Sequence, residues 1–203
     1  AVISTTPSSI NPTPQNLAID GHSNAIIGWL AGTIGVDNDL YTATLPGAAT
    51  AWNAPTPLYT GSSPEFASFP LIFSDNQGTV YAIWANFYLT ETSFDHTTAI
   101  TSTEGILDNL WQPPIAATTL EGFLNGGIAS VDTLGNRIAI LELAENSSSS
   151  SPPYSIYMMA LAAEATEWTT PSLLDIDESS LSGPIAFAVA SEGTAVIGWK
   201  INP

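Results

Sequence analysis

The sequence predicts an all-β protein assembled from repeats of one unit, on three observations. Short runs of four to eight residues, rich in Val, Ile, Tyr, Trp and Thr, are bounded by Gly, Asn, Asp or Pro, as strands joined by turns are, and no stretch keeps a helical period. One pattern returns as GHSNAIIGW ending at Trp29, DNQGTVYAIW ending at Trp84, TLGNRIAIL ending at Leu141 and SEGTAVIGW ending at Trp199, at intervals of 55, 57 and 58 residues (29 to 84, 84 to 141, 141 to 199). A second pattern, W-x-x-P, stands at Trp52, Trp111 and Trp168, at intervals of 59 and 57 (52 to 111, 111 to 168). Two markers that keep step define an internal repeat.

A full unit reads as four strands, and the last unit lacks a recognisable strand C. Strand A is apolar, as in PLIFS (70–74) or IAFAVA (185–190), and turns at a Gly-bearing tip such as DNQG, TLGN or SEG. Strand B returns as TVYAIW and its counterparts, with Trp29, Trp84 and Trp199 at its end. Strand C follows in LYTATL, TTAITS and SIYMMAL, and strand D surrounds the Trp of W-x-x-P. In strand B, Ala25, Ile27 and Trp29 point one way and Ile26 and Gly28 the other, and both sets are apolar, so both faces need cover. Neighbouring units supply it. The six tryptophans, Trp29, Trp52, Trp84, Trp111, Trp168 and Trp199, are therefore expected in the repeat core, with the proline of W-x-x-P ending pairing on an outer strand where a missing N–H is tolerated.

Four antiparallel strands in ~57 residues is the size of a propeller blade. The expected fold is one β-propeller domain, 1–203, of about four blades, with repeat frames near 16–60, 67–119, 126–175 and 184–203 and an N-terminal strand at 1–10. That strand, STTPSSI (4–10), resembles WTTPSLL (168–174), a strand D, while the chain stops after a strand B, AVIGWKINP. The N-terminal strand is expected to join the last blade and close the ring.

Composition narrows the function. Of 203 residues 19 are acidic and two basic, Arg137 and Lys200, giving a net charge of −17. Phosphate backbones are gripped by several Lys or Arg contacts, so nucleic acid is not an expected partner, nor are anionic membranes. No apolar run reaches the ~18 residues of a spanning helix, which argues against membrane insertion. Charged residues make up 10% and hydrophobic ones 44%, enough apolar surface to fold. With no cysteine, disulfides and thiolate chemistry are excluded. A weakly charged, hydroxyl-rich chain suits an extracellular or cell-surface protein, and Ala1 in place of Met fits a mature protein after signal removal or an edited start.

The D-x-x-G-N/T pieces running into strand B, followed by W-x-x-P, resemble the blade repeats of extracellular proteins with sialidase-like β-propellers, and SDNQGTVYAIW is similar to the sialidase Asp-box, S-x-D-x-G-x-T-W, with Thr and Trp displaced. The resemblance is one of repeat style and implies a propeller fold. It does not carry the activity: a sialidase grips its substrate's carboxylate with an arginine cluster, and this chain has a single arginine, read in the middle of strand B of the third unit. A glycosidase or lyase using paired carboxylates stays open, although no pair is singled out.

In an up-and-down blade the B–C and D–A connections leave from one end and the A–B and C–D turns from the other. The B–C segments AGTIGVDND, NFYLTETSFDH and AENSSSSSPP read as long loops, and they share their end with Glu65, Glu121, Asp175, Asp177 and Glu178. Phe87, Tyr88, Phe94, Asp95 and His96 are the candidate ligand-binding residues there, for a glycan or a protein, because loops on a rigid scaffold are the usual place for binding. Asp37 and Asp39 have the spacing of oxygen ligands for a possible Ca²⁺; otherwise no cofactor is expected. His22 and His96, in loops at opposite ends, do not make a shared metal site, and no catalytic residue is assigned. NSSSS at Asn146 contains a glycosylation sequon. The expected function is a non-catalytic extracellular interaction or adhesion module, with a surface-assembly subunit joined through terminal strands as one form of it, a carbohydrate-binding lectin as the alternative, and a glycosidase or lyase as the second alternative.

Overall fold

The computed structural model describes residues 13–33, 37–61, 65–89, 94–106, 110–144, 153–177, 186–190 and 194–198. The described residues form strands and turns with no helix. Sheet I contains β1 (Thr13–Ile19), β2 (Ala25–Thr33), β3 (Asp37–Leu45) and β4 (Thr56–Tyr59), adjacent in that order. Sheet II contains β5 (Glu65–Ser74), β6 (Thr79–Leu89) and β7 (Phe94–Ile106), with both β8 (Leu110–Trp111) and β9 (Ile115–Glu121) paired to β7. Sheet III contains β10 (Phe123–Val131), β11 (Arg137–Ala144), β12 (Tyr154–Leu161) and β13 (Ser172–Asp177). Sheet IV is described as the hairpin of β14 (Ala186–Val189) and β15 (Ala195–Gly198). Every described pairing is antiparallel, and sheets I to III follow the A-B-C-D order of the repeat.

Successive sheets pack face to face, which is why strand B is apolar on both sides. Ala18, Ile26 and Leu40 of sheet I meet Ala67, Ile72, Val80, Ala82 and Trp84 of sheet II. The opposite face of sheet II offers Leu71, Phe73, Tyr81, Ile83 and Ile100 to Leu124, Leu141, Leu143, Met159 and Trp168 of sheet III. Ile140 and Ile156 then meet Phe187 and Ile197 of sheet IV. At ~1.5 to 3 kcal/mol for each large apolar side chain buried, these interfaces hold the sheets in series. Close approach has a sequence requirement: a Cβ on Gly28 of β2 would stand 2.6 Å from the Ile72 side chain of β5.

The tryptophans divide into two structural roles. Trp29 and Trp84 are buried and lie inside strand B, which runs on to Thr33 and Leu89, so the expectation that they end the strand is corrected. The strand continues because the B–C hairpins are long, with Thr33 paired to Asp37 and Leu89 to Phe94. Trp199 lies outside the described residues. Trp52 and Trp168 precede strand D, and Trp111 ends the short β8. In all three units the next residue donates its N–H to a strand C carbonyl: Asn53 to Thr44, Gln112 to Glu104 and Thr169 to Ala160, each at 2.8 Å. Proline then interrupts pairing, and strand D resumes after it, so the proline that was expected to end the pairing only breaks it.

Two of these tryptophans also join sheets. Trp111 Nε1 donates to Thr42 Oγ1 of sheet I at 3.2 Å, and Trp168 Nε1 donates to Ser102 Oγ of sheet II at 2.9 Å. Thr42 pairs with Gly28 and Ser102 with Ile83, equivalent positions of strand C, so one inter-sheet bond is made twice in the same register.

Candidate functional site

The described A–B turns, those of sheets I to III, are built on one aspartate each. Asp20 Oδ1 accepts the N–H groups of His22 and Asn24, Asp75 Oδ1 those of Gln77 and Thr79, and Asp132 Oδ1 those of Leu134 and Asn136, at 2.8 to 2.9 Å. The second oxygen of Asp20 accepts the Asn24 amide, and that of Asp132 the Asn136 amide. Each asparagine then accepts an N–H from the C–D turn, from Gly47 and from Ala163 respectively. A–B and C–D turns therefore share one end of the stack. Burial works against the charge on Asp20 and Asp132, but these hydrogen bonds, the asparagine side chain foremost, outweigh it and hold both carboxyls below the ordinary aspartate range.

Unit II departs from this rule, and the departure shapes a site. Thr79 stands where units I and III have Asn24 and Asn136, and Asp75 Oδ2 instead accepts the Tyr81 hydroxyl at 3.0 Å. The guanidinium of Arg137, from sheet III, lies 4.6 Å from the centre of the Tyr81 ring, and its terminal nitrogen meets Glu104 Oε2 at 2.8 Å. Burial and the nearby Asp75 charge push the Tyr81 hydroxyl above its ordinary value, with Arg137 opposing. Arg137 Nε is buried without a hydrogen bond.

Beside this chain of contacts lies a cleft of about 410 Å³ between sheets II and III. Its floor is apolar, from Phe73, Ile83, Leu161 and Trp168, and its polar lining is Thr103, Glu104, Gln112, Arg137, Glu164 and Thr166. The volume suits a side chain with its neighbours, or one small-molecule unit. Arg137 is committed to Glu104, with the two side chains 15% and 45% exposed, so the cleft carries a surplus of carboxylate. Such a half-exposed pair contributes ~0.2 to 1 kcal/mol to stability; its main effect is to fix both groups in place.

The residues expected from the sequence lie elsewhere. Phe87 belongs to β6 and is buried, its ring 5.6 Å from that of Phe66. Tyr88 also lies in β6, and Phe94, Asp95 and His96 lie in β7, strand residues where a long loop was expected; their side chains are outside the described residues. Glu65, Glu121 and Asp177 do stand at the B–C end, paired with Tyr88, Thr97 and Tyr154. Asp37 and Asp39 stand two residues apart on β3; Asp39 accepts hydrogen bonds from Gly61 N–H at 3.1 Å and from the Tyr41 hydroxyl at 3.4 Å, and the Asp37 side chain is outside the described residues. Among the described residues no group of three or more His, Asp or Glu side chains is placed to hold a metal ion. His22 is exposed in its turn.

Sequence reasoning missed the cleft, which sits at the opposite end from the candidate face. Arg137 was the available signal: a lone arginine in a chain of net charge −17 will be held by carboxylates, and it opens β11 at the turn end of the strand, not its middle. No protein-family model and no curated protein matches the chain.

Proposed function

We propose that the chain is a non-catalytic extracellular interaction module built on a β-propeller whose ring closes within one chain. The ~57-residue repeat and the face-to-face packing of its sheets support the propeller. The observation that carries the interaction reading is the cleft between sheets II and III, whose Arg137 is held by Glu104 and whose Tyr81 is held by Asp75 beside it, while its rim offers polar groups to a partner. Contacts fixed in this way hold the cleft ready for a partner, with Glu164 and the exposed part of Glu104 at its rim. The weakly charged, acidic surface suits an adhesive or cell-surface role.

The test is a broad glycan panel read twice, for retention and for turnover. The proposal expects no released sugar at any pH between about 4 and 8, the range in which paired carboxylates work. Turnover abolished by a single carboxylate substitution would replace it with the glycosidase or lyase reading. Retention that vanishes on Tyr88→Ala, with no turnover, would make it a lectin acting from the B–C end.

A further inference from the structure

The charge of the cleft selects its occupant. Glu104, Glu164 and Arg137 line it, and Arg137 is already neutralised by Glu104, which leaves one carboxylate in excess on a chain of net charge −17. An anion entering would meet that field and would have to displace Glu104 from Arg137; a cation is drawn in and finds Glu164 together with the exposed part of Glu104. The floor matters equally. Leu161, Ile83 and Ile115 give the cleft an apolar wall, and Ile115 is 42% exposed. A ligand with a charged head on an apolar stem fits both features, the stem lying along the wall and the head at the rim. The volume of about 410 Å³ exceeds what one such stem fills and leaves room for flanking residues.

We infer that this cleft receives a lysine or arginine side chain presented by an extended segment of a protein partner. The inference rests on the interaction-module reading and names its partner class. Glu164 is the selecting carboxylate, and Thr166, exposed beside it, is the position from which a built-in cation competes with the ligand.

Four labelled peptides of one scaffold, Gly-Val-X-Val-Gly with X as lysine, arginine, glutamine or glutamate, test it by fluorescence anisotropy with the full chain. Lysine and arginine peptides bind, the glutamine peptide binds about tenfold more weakly, the glutamate peptide does not bind, and affinity falls as salt rises from about 50 to about 500 mM. Glu164→Gln weakens the lysine peptide severalfold, and Thr166→Lys abolishes its binding. Equal binding of the lysine and glutamine peptides overturns the inference, as does an unchanged affinity in both variants. Spermidine competing as well as the lysine peptide overturns the protein partner in favour of a free polyamine. If no peptide binds while glycan or cell surfaces retain the chain, this inference falls and the module reading stands; turnover on the glycan panel removes the module reading whatever the peptides do.

Discussion

Replacing Trp168 tests whether the W-x-x-P tryptophans fasten one sheet to the next. Trp168 is buried, packs among the residues that join sheets II and III, and donates from Nε1 to Ser102 Oγ across 66 residues of chain. Trp168→Ala removes both packing and bond, and large-to-small replacements of this kind cost ~3 to 5 kcal/mol. Trp168→Phe keeps most of the ring but strands the Ser102 hydroxyl, itself buried, and Ser102→Ala strands the indole N–H, each at ~1 to 3 kcal/mol. The double variant removes both partners, so its cost falls short of the sum by the coupling of the pair, ~0.5 to 1.5 kcal/mol. Urea unfolding followed by far-ultraviolet circular dichroism supplies the free energies, with unchanged m-values required for the comparison. A loss below about 1 kcal/mol for Trp168→Ala, or strict additivity of the two single variants, would refute the inter-sheet role.

The turn aspartates predict a pH dependence. Because Asp20 and Asp132 are held below their unfolded values, their stabilisation is complete above the unfolded pKa of ~3.9 and is lost as pH falls through the lower folded values. Asp132→Asn sets an amide against the Asn136 amide and should cost ~1.5 to 3 kcal/mol at pH 7, the gap between the two proteins narrowing as acid protonates Asp132 in the folded state; a gap that stays constant through the acid limb counts against it. This comparison with the variant is needed because relief of repulsion in so acidic a chain opposes the loss. Gly28→Ala forces a methyl toward the Ile72 side chain and should cost ~1 to 3 kcal/mol in urea unfolding; under about 0.5 would show that the sheet I and II contact is loose. Glu104→Gln keeps the shape and leaves Arg137 over the Tyr81 ring but removes the charge of the half-exposed pair; it should cost ~0.2 to 1 kcal/mol, and a change beyond about 1.5 kcal/mol would show a tighter pair than its exposure implies.

The strand order was legible because its signals are local. A strand apolar on both faces, a turn opening on aspartate and a tryptophan three residues before proline recur within each of the first three units, and each has a physical cause the structure makes visible. Strand ends were not legible: NFYLTETSFDH has the polarity of a loop, yet Leu89 pairs with Phe94 because the hairpin around it is already formed. The cleft was hidden for a different reason. Glu104 and Tyr81 come from one repeat and Arg137, Glu164 and Trp168 from the next, so the site exists only between units, and a pattern read within a unit has no term for it. The inter-sheet tryptophan bonds escaped likewise, since Thr42 and Ser102 look like ordinary strand residues until the next sheet is laid against them.

The mass of the full chain in solution, measured by light scattering over a hundredfold concentration range, bears most directly on a propeller closed within one chain. A constant 21.2 kDa is the result the account predicts. A mass that climbs with concentration would contradict it, and would mean that the stack of sheets is continued by further copies of the chain.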